Sequence, residues 1–107
     1  MLARPNRLTS GAEIRHVIKL GKRVSNKLAT VHFLPSDVSA FAIVTSRAVG
    51  NAVVRNRLRR RTKAILVTHL ESTQPIQAVI RFRSGANELG FDELSENISE
   101  LLKRIAK

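Results

Sequence analysis

The run Arg55-Asn56-Arg57-Leu58-Arg59-Arg60-Arg61 limits this chain more than any other feature. It puts five arginines into seven residues, inside a stretch from Gly50 to Leu70 that reads as one helix. Asn51 can cap that helix by accepting from backbone N–H groups of its first turn. With successive residues about 100° apart, Val54, Leu58 and Ile65 fall on one narrow stripe, bordered by Thr62 and His69. Asn56, Arg59, Arg60 and Lys63 gather on the opposite side, while Arg55, Arg57 and Arg61 flank the stripe. Such a helix docks by its apolar stripe, and its outer face repels itself at i,i+3 and i,i+4 unless an anion relieves it. Arginine's planar fork pairs with phosphate oxygens and stays charged at any physiological pH, so a nucleic-acid backbone is the leading partner. A merely solvated cationic face is the competing reading, but ordinary solvated faces mix both signs.

The distribution of charge supports the nucleic-acid reading. Residues 1–63 hold 14 basic and 2 acidic side chains, whereas residues 64–107 hold 5 and 6. The first part thus carries +12 and the rest −1, so the whole net +11 is a patch in the first two-thirds, where interleaved apolar residues argue for folding rather than for a basic tail. A length of 107 residues suits one domain with a real core, taken as residues 1–107. Without cysteine there is no disulfide framework, thiol nucleophile or thiolate metal site. No apolar run approaches the roughly 20 residues that span a bilayer. The start Met1-Leu2-Ala3-Arg4-Pro5-Asn6-Arg7 lacks a signal-peptide core, so a cytoplasmic location without membrane association is expected.

Around the basic helix, apolar periodicity switches between helix and strand. Ser10-Gly11-Ala12-Glu13 has capping-box spacing, Ile14, Val17 and Ile18 follow at helical intervals, and Gly21 suits a stop. Leu28–Leu34 reads as a strand with Ala29, Val31 and Phe33 on one side and Thr30 and His32 on the other. Pro35-Ser36-Asp37 signals a turn. Phe41–Thr45 is short and apolar on both faces, which predicts a central strand. Gln77–Arg83 alternates again, and a last helix runs from Phe91 with Leu94, Ile98, Leu101 and Ile105 at helical spacing. Asp92 and Glu93 open that helix and basic residues close it, as its dipole favours. The expected fold is a single-domain α+β sandwich in the order α-β-β-(β)-α-β-α, with further strands left open between residues 22 and 45.

The string Val49-Gly50-Asn51-Ala52-Val53-Val54-Arg55-Asn56-Arg57-Leu58-Arg59-Arg60-Arg61 closely resembles the signature of the protein subunit of bacterial ribonuclease P. The resemblance covers nearly the whole chain, through Arg7-Leu8-Thr9, Gly21-Lys22-Arg23, Ser46-Arg47 and Arg83-Ser84-Gly85-Ala86. It implies an accessory subunit of an endoribonuclease. The protein would bind the catalytic ribonuclease P RNA and the 5′ leader of precursor tRNA, and assist magnesium-dependent removal of that leader. The RNA would hold Mg²⁺ and carry the catalysis, leaving no catalytic or metal-binding residue and no small-molecule substrate to the protein. The resemblance also implies a left-handed βαβ crossover around the signature helix, against the usual right-handed rule.

Residue by residue, the resemblance assigns RNA contact to Arg55, Asn56, Arg57, Arg59, Arg60 and Lys63, to Ser46 and Arg47 in the loop before the helix, and to Arg83 after the last strand. A leader cleft between the sheet and the first helix would include Ile14, Ile18 and His32. Here the chain departs from the family pattern. Ile14 and Ile18 stand where phenylalanine is common, His32 where tyrosine is frequent, and Ala48 where a second basic residue is usual. Because single strands are held by bases stacked on aromatic rings, these departures shift weight onto the arginines.

Two other classes remain open at this level. A basic ribosomal or ribosome-associated protein would share size and charge, although no long basic tail is visible. A helix-turn-helix DNA binder would need another helix shortly before the basic one. A stand-alone enzyme has no nucleophile–base pair, phosphate loop or metal cluster to support it.

Overall fold

The computed structural model describes residues 2–71 and 74–105. After a 3-10 turn at Arg4–Asn6, the chain forms α1 (Gly11–Leu20), β1 (Lys22–Ser25), β2 (Ala29–Pro35), β3 (Ala40–Val44), α2 (Ala52–His69), β4 (Ile76–Phe82) and α3 (Phe91–Ile105). The class is α+β, as expected, and the open region between residues 22 and 45 supplies the additional strand β1. Four strands make one mixed sheet in the order β1-β2-β4-β3. Pairs β1–β2 and β2–β4 are antiparallel, and β3–β4 is parallel.

Local chemistry sets the helix limits. Ser10 Oγ accepts from the N–H groups of Ala12 (3.2 Å) and Glu13 (3.5 Å) at the start of α1. Asn51 Oδ1 accepts from Val54 N–H (3.0 Å) at the start of α2, and a cap of this kind contributes about 1 kcal/mol. Gly21 ends α1 for a different reason from the one its position suggests. Its backbone is extended (φ −75°, ψ 160°) rather than left-handed. A Cβ there would lie 2.5 Å from the Val17 carbonyl oxygen and 2.7 Å from that of Phe33, so glycine permits a close crossing of helix end and strand.

The sheet is covered on both faces. On one, Ala29, Val31, Phe41, Ala78, Ile80 and Phe82 pack against Leu58, Ile65 and Leu66 of α2 and Leu94, Ile98, Leu101 and Leu102 of α3. On the other, Ala40, Ala42, Val79 and Leu34 meet Ile14, Val17 and Ile18 of α1, with Leu8. The docking stripe of α2 is wider than its sequence suggests, because the helix packs against both the sheet and its neighbour α3. Leu58, Thr62, Ile65 and Leu66 are buried and Val54 only half-buried. Thr62 tolerates full burial because its hydroxyl donates to the Leu58 carbonyl (2.8 Å).

β3 is not central. It ends the four-stranded sheet, and β4 lies inside. Its two apolar faces arise because α1 covers one and the α2–α3 layer the other. Its outer edge meets the N-terminal segment, where Leu8 N–H donates to the Phe41 carbonyl (2.9 Å). That bond also fixes the hand of the β3–α2–β4 crossover. The Phe41 side chain lies on the α2 face, and its carbonyl points away from β4 toward Leu8. For an L-residue in an upward-running strand with its side chain toward the viewer, N–H and C=O point right. Leu8 is therefore on the right and β4 on the left, so the path through α2 returns left-handed, against the common rule.

Candidate nucleic-acid interface

Because α2 buries one face, its remaining side chains are distributed along a ridge. Arg60 is exposed and lines open hollows on both sides of that ridge. On one flank it stands with Asn56, Arg59 and Lys63, and Arg59 Nη1 donates to Asn56 Oδ1 (2.7 Å), which holds both polar ends together. The same flank runs on toward the N-terminal segment, where Arg7 joins Arg60 and Lys63 around Leu2 and Ala64. On the other flank lie Arg57 and Arg61, and Arg61 Nη1 donates to the Leu89 carbonyl (3.5 Å) ahead of α3. Among the described residues no ion pair neutralises any of these arginines. The salt bridge found there joins Glu100 and Arg104 on α3, with oxygen and nitrogen 3.8 Å apart. Cationic groups presented as an ordered, uncompensated row are suited to a polyanion.

β3 and β4 run in parallel, so their C-terminal ends share one end of the sheet, beside the start of α2. Ser46 and Arg47 are exposed in the loop there, shaped by Val49 N–H to Ser46 O (3.0 Å) and Gly50 N–H to Arg47 O (3.2 Å). Arg83 follows β4 at the same end, but much of its guanidinium is engaged. Nη1 donates to the Asn26 carbonyl (2.7 Å) and Nη2 to Thr30 Oγ1 (2.9 Å), stapling the end of β4 to the β1–β2 turn.

The α1 side of the sheet carries a second basic group. Arg23 on β1 pairs with His32, and Arg81 on β4 pairs with Thr30, so both arginines share the His32 face. His32 is only 5% exposed and its Nε2 is buried without a partner. Burial, aided by Arg81 and Arg23, holds its pKa below the usual 6.5 and keeps the imidazole neutral at pH 7. Ile14 and Ile18 are half-buried and pack against the core beneath α1.

The ribonuclease P family model matches residues 2–106. The chain belongs to the ribonuclease P protein family. It is 39% identical over 111 residues to the ribonuclease P protein component of Clavibacter michiganensis subsp. michiganensis, spanning all of this chain and 98% of that one. To the protein component from Nocardioides sp. it is 34% identical over 112 residues, covering 98% and 95%. The ribonuclease P protein from Thermotoga maritima superposes with a TM-score of 0.85 at 28% identity, covering 94% of this chain and 98% of that one. The Staphylococcus aureus ribonuclease P protein superposes at 0.88 with 21% identity and 94% coverage of each, which shows the shared fold.

Within this ribonuclease P protein fold, Asn56, Arg59, Arg60 and Lys63 come together on one flank of α2 and Arg57 on the other. Ser46, Arg47 and Arg83 share the nearby end of the sheet. Arg55 stands apart, half-buried with its Nε enclosed and unpartnered. His32 shares its sheet face with Ile14 and Ile18 through the α1 packing, yet it does not present a ring to solvent. Arg7, Arg23 and Arg81 also lie on these basic surfaces, although the expected contacts do not include them. The signal for Arg23 lay in β1, which is too short to show periodicity, and that for Arg7 in a segment paired only through an isolated bridge. The helix-turn-helix reading fails because strand β3 precedes α2. No helix among the described residues is long and apolar enough to cross a membrane.

Proposed function

We propose that this chain serves as the protein subunit of ribonuclease P, gripping the catalytic RNA with the ridge of α2 and the 5′ leader of precursor tRNA on the α1 side of the sheet. The observation that carries the reading is the uncompensated row Asn56, Arg57, Arg59, Arg60 and Lys63 on a helix of this family. Ser46, Arg47 and Arg7 extend it, and Arg83 adds charge while its staple holds the β1–β2 turn. Arg55, with its enclosed Nε, acts more by fixing α2 than by direct contact. The whole assembly would work in the cytoplasm alongside its RNA.

For the leader, the buried His32 and the packed Ile14 and Ile18 offer little to stack on. Arg23 and Arg81, exposed on the same face, would take its phosphates instead. Such a grip is sequence-tolerant, since phosphate contacts position a strand without reading its bases. The hydrolytic chemistry belongs to the RNA with its Mg²⁺. Among the described residues no three metal-ligating side chains come together. The protein's contribution is to hold and orient two anionic strands beside each other, which lowers the repulsion that bound cations must otherwise screen.

The direct test of the leader assignment compares equilibrium binding of precursor and mature tRNA to the reconstituted holoenzyme. Tighter binding of the leader-bearing substrate, diminished in Arg23→Ala and Arg81→Ala, is the expected result. Equal affinity for both substrates would remove the leader from the account.

A further inference from the structure

Phe41 and Phe82 are buried, and Phe33 packs half-buried against the main core. Phe91 differs. At the first residue of α3 it keeps 46% of its surface in solvent, in a chain that has no tryptophan or tyrosine. Its ring borders the open hollow that it shares with Arg57, Arg60, Arg61 and Ala64 of α2. Ala64 is too small to cover the ring. Arg57 and Arg60 are exposed, and Arg61 is anchored to the carbonyl of Leu89, two residues before the ring. That bond ties the guanidinium row to the segment that carries Phe91. Asp92 and Glu93 follow on α3, but among the described residues no ion pair joins them to these three arginines.

We propose that Phe91 is a stacking platform for one unpaired nucleotide of an RNA partner, whose flanking phosphates are taken by Arg57, Arg60 and Arg61. An aromatic face beside several arginine forks is the combination that holds a single strand: the ring takes the base and the forks take the backbone. Duplex RNA cannot use the ring, because its bases are already stacked inside the helix, so the nucleotide comes from a bulge, a loop or a single-stranded end. The site lies on the α2–α3 side of the sheet, opposite the face of Arg23, His32 and Arg81, and is therefore separate from the leader cleft. The inference deepens the RNA-binding reading and rests on it. The catalytic RNA, which that reading lays along the α2 ridge, is the source that this position favours over the leader.

The chain's lack of tryptophan supplies the probe, since Phe91→Trp introduces a single indole at the site. Its fluorescence is followed during titration of the full-length protein with ribonuclease P RNA, and separately with a single-stranded leader oligonucleotide. Filter binding measures affinity in parallel. Val38→Trp, in the exposed turn between β2 and β3, serves as the control. The ribonuclease P RNA should quench the indole of Phe91→Trp and leave the control unchanged. Phe91→Leu should bind that RNA roughly tenfold more weakly while Phe91→Tyr keeps its affinity, because loss of base stacking is expected at that scale. Quenching by the oligonucleotide instead would assign the nucleotide to the leader and overturn the catalytic RNA as its source. RNA binding that leaves the Phe91→Trp indole unquenched, or that is undiminished in Phe91→Leu, would overturn the platform and leave the subunit reading intact. Absence of RNA binding by the unaltered protein would overturn both.

Discussion

Gly50 sits between the Ser46–Val49 loop and the N-cap of α2, and Gly50→Ala should be among the most damaging single-methyl changes in the molecule. Its φ is +152°, a conformation that L side chains rarely adopt, and holding alanine there costs on the order of 1–3 kcal/mol. A Cβ would also stand 2.8 Å from Val54 Cγ1 and 3.0 Å from Val54 Cβ. The first contact can be eased by a rotamer change, but the second cannot, because Asn51 fixes the backbone at Val54 through its side-chain bond (3.0 Å). Overpacking of this kind adds roughly 1–3 kcal/mol. Against a total stability of about 5–15 kcal/mol, the combined loss of about 2–6 kcal/mol should lower the melting midpoint by on the order of 10–25 °C. Thermal and urea unfolding followed by circular dichroism provide the assay. Val54→Ala removes Cγ1 and keeps Cβ, so the double variant should recover about 1 kcal/mol relative to additivity while the backbone strain remains. A midpoint within about 2 °C of the parent, or strict additivity in the double variant, would refute the steric argument.

Two further outcomes follow from charge and burial. Replacing Arg59 or Arg60 by alanine should reduce the slope of log affinity against log salt for ribonuclease P RNA by about one each, and an unchanged slope would show that the residue touches no phosphate. His32 is held neutral by burial and by Arg81 and Arg23, so its folded pKa is depressed. Its contribution to stability is complete above its unfolded value of about 6.5 and is lost as pH falls below that value toward the folded pKa. The drop in melting midpoint between about pH 7.5 and about pH 5.5 should be smaller in His32→Leu than in the parent, and an equal drop would contradict the assignment.

Much of this architecture was legible in the sequence because local and tertiary demands agree. Ser10 and Asn51 cap the helices that their positions announce, and the alternation of Ala29, Val31 and Phe33 against Thr30 and His32 survives in the sheet. What was not legible depended on partners distant in sequence. Phe41–Thr45 reads as a central strand because both faces are apolar, yet burial of a face reports what covers it and not where the strand stands in the sheet. Leu66 fell outside the expected stripe of α2 because only the presence of α3 widens that stripe. For the site, spacing placed Asn56, Arg59, Arg60 and Lys63 on one flank, as the structure does, since a helix fixes neighbours through its own period. It could not reveal that the exposed Arg83 is held to Asn26 and Thr30, more than fifty positions earlier, or that His32 is enclosed beneath α1.

The central claim is that this protein acts through ribonuclease P RNA. The most direct measurement adds it to a bacterial ribonuclease P RNA at a magnesium concentration where that RNA alone is slow, and follows 5′-leader removal from a precursor tRNA. The account predicts a large rise in cleavage that requires the RNA and is lost in the Arg59→Ala, Arg60→Ala double variant. Cleavage left unchanged by the protein, or cleavage by the protein without the RNA, would contradict it.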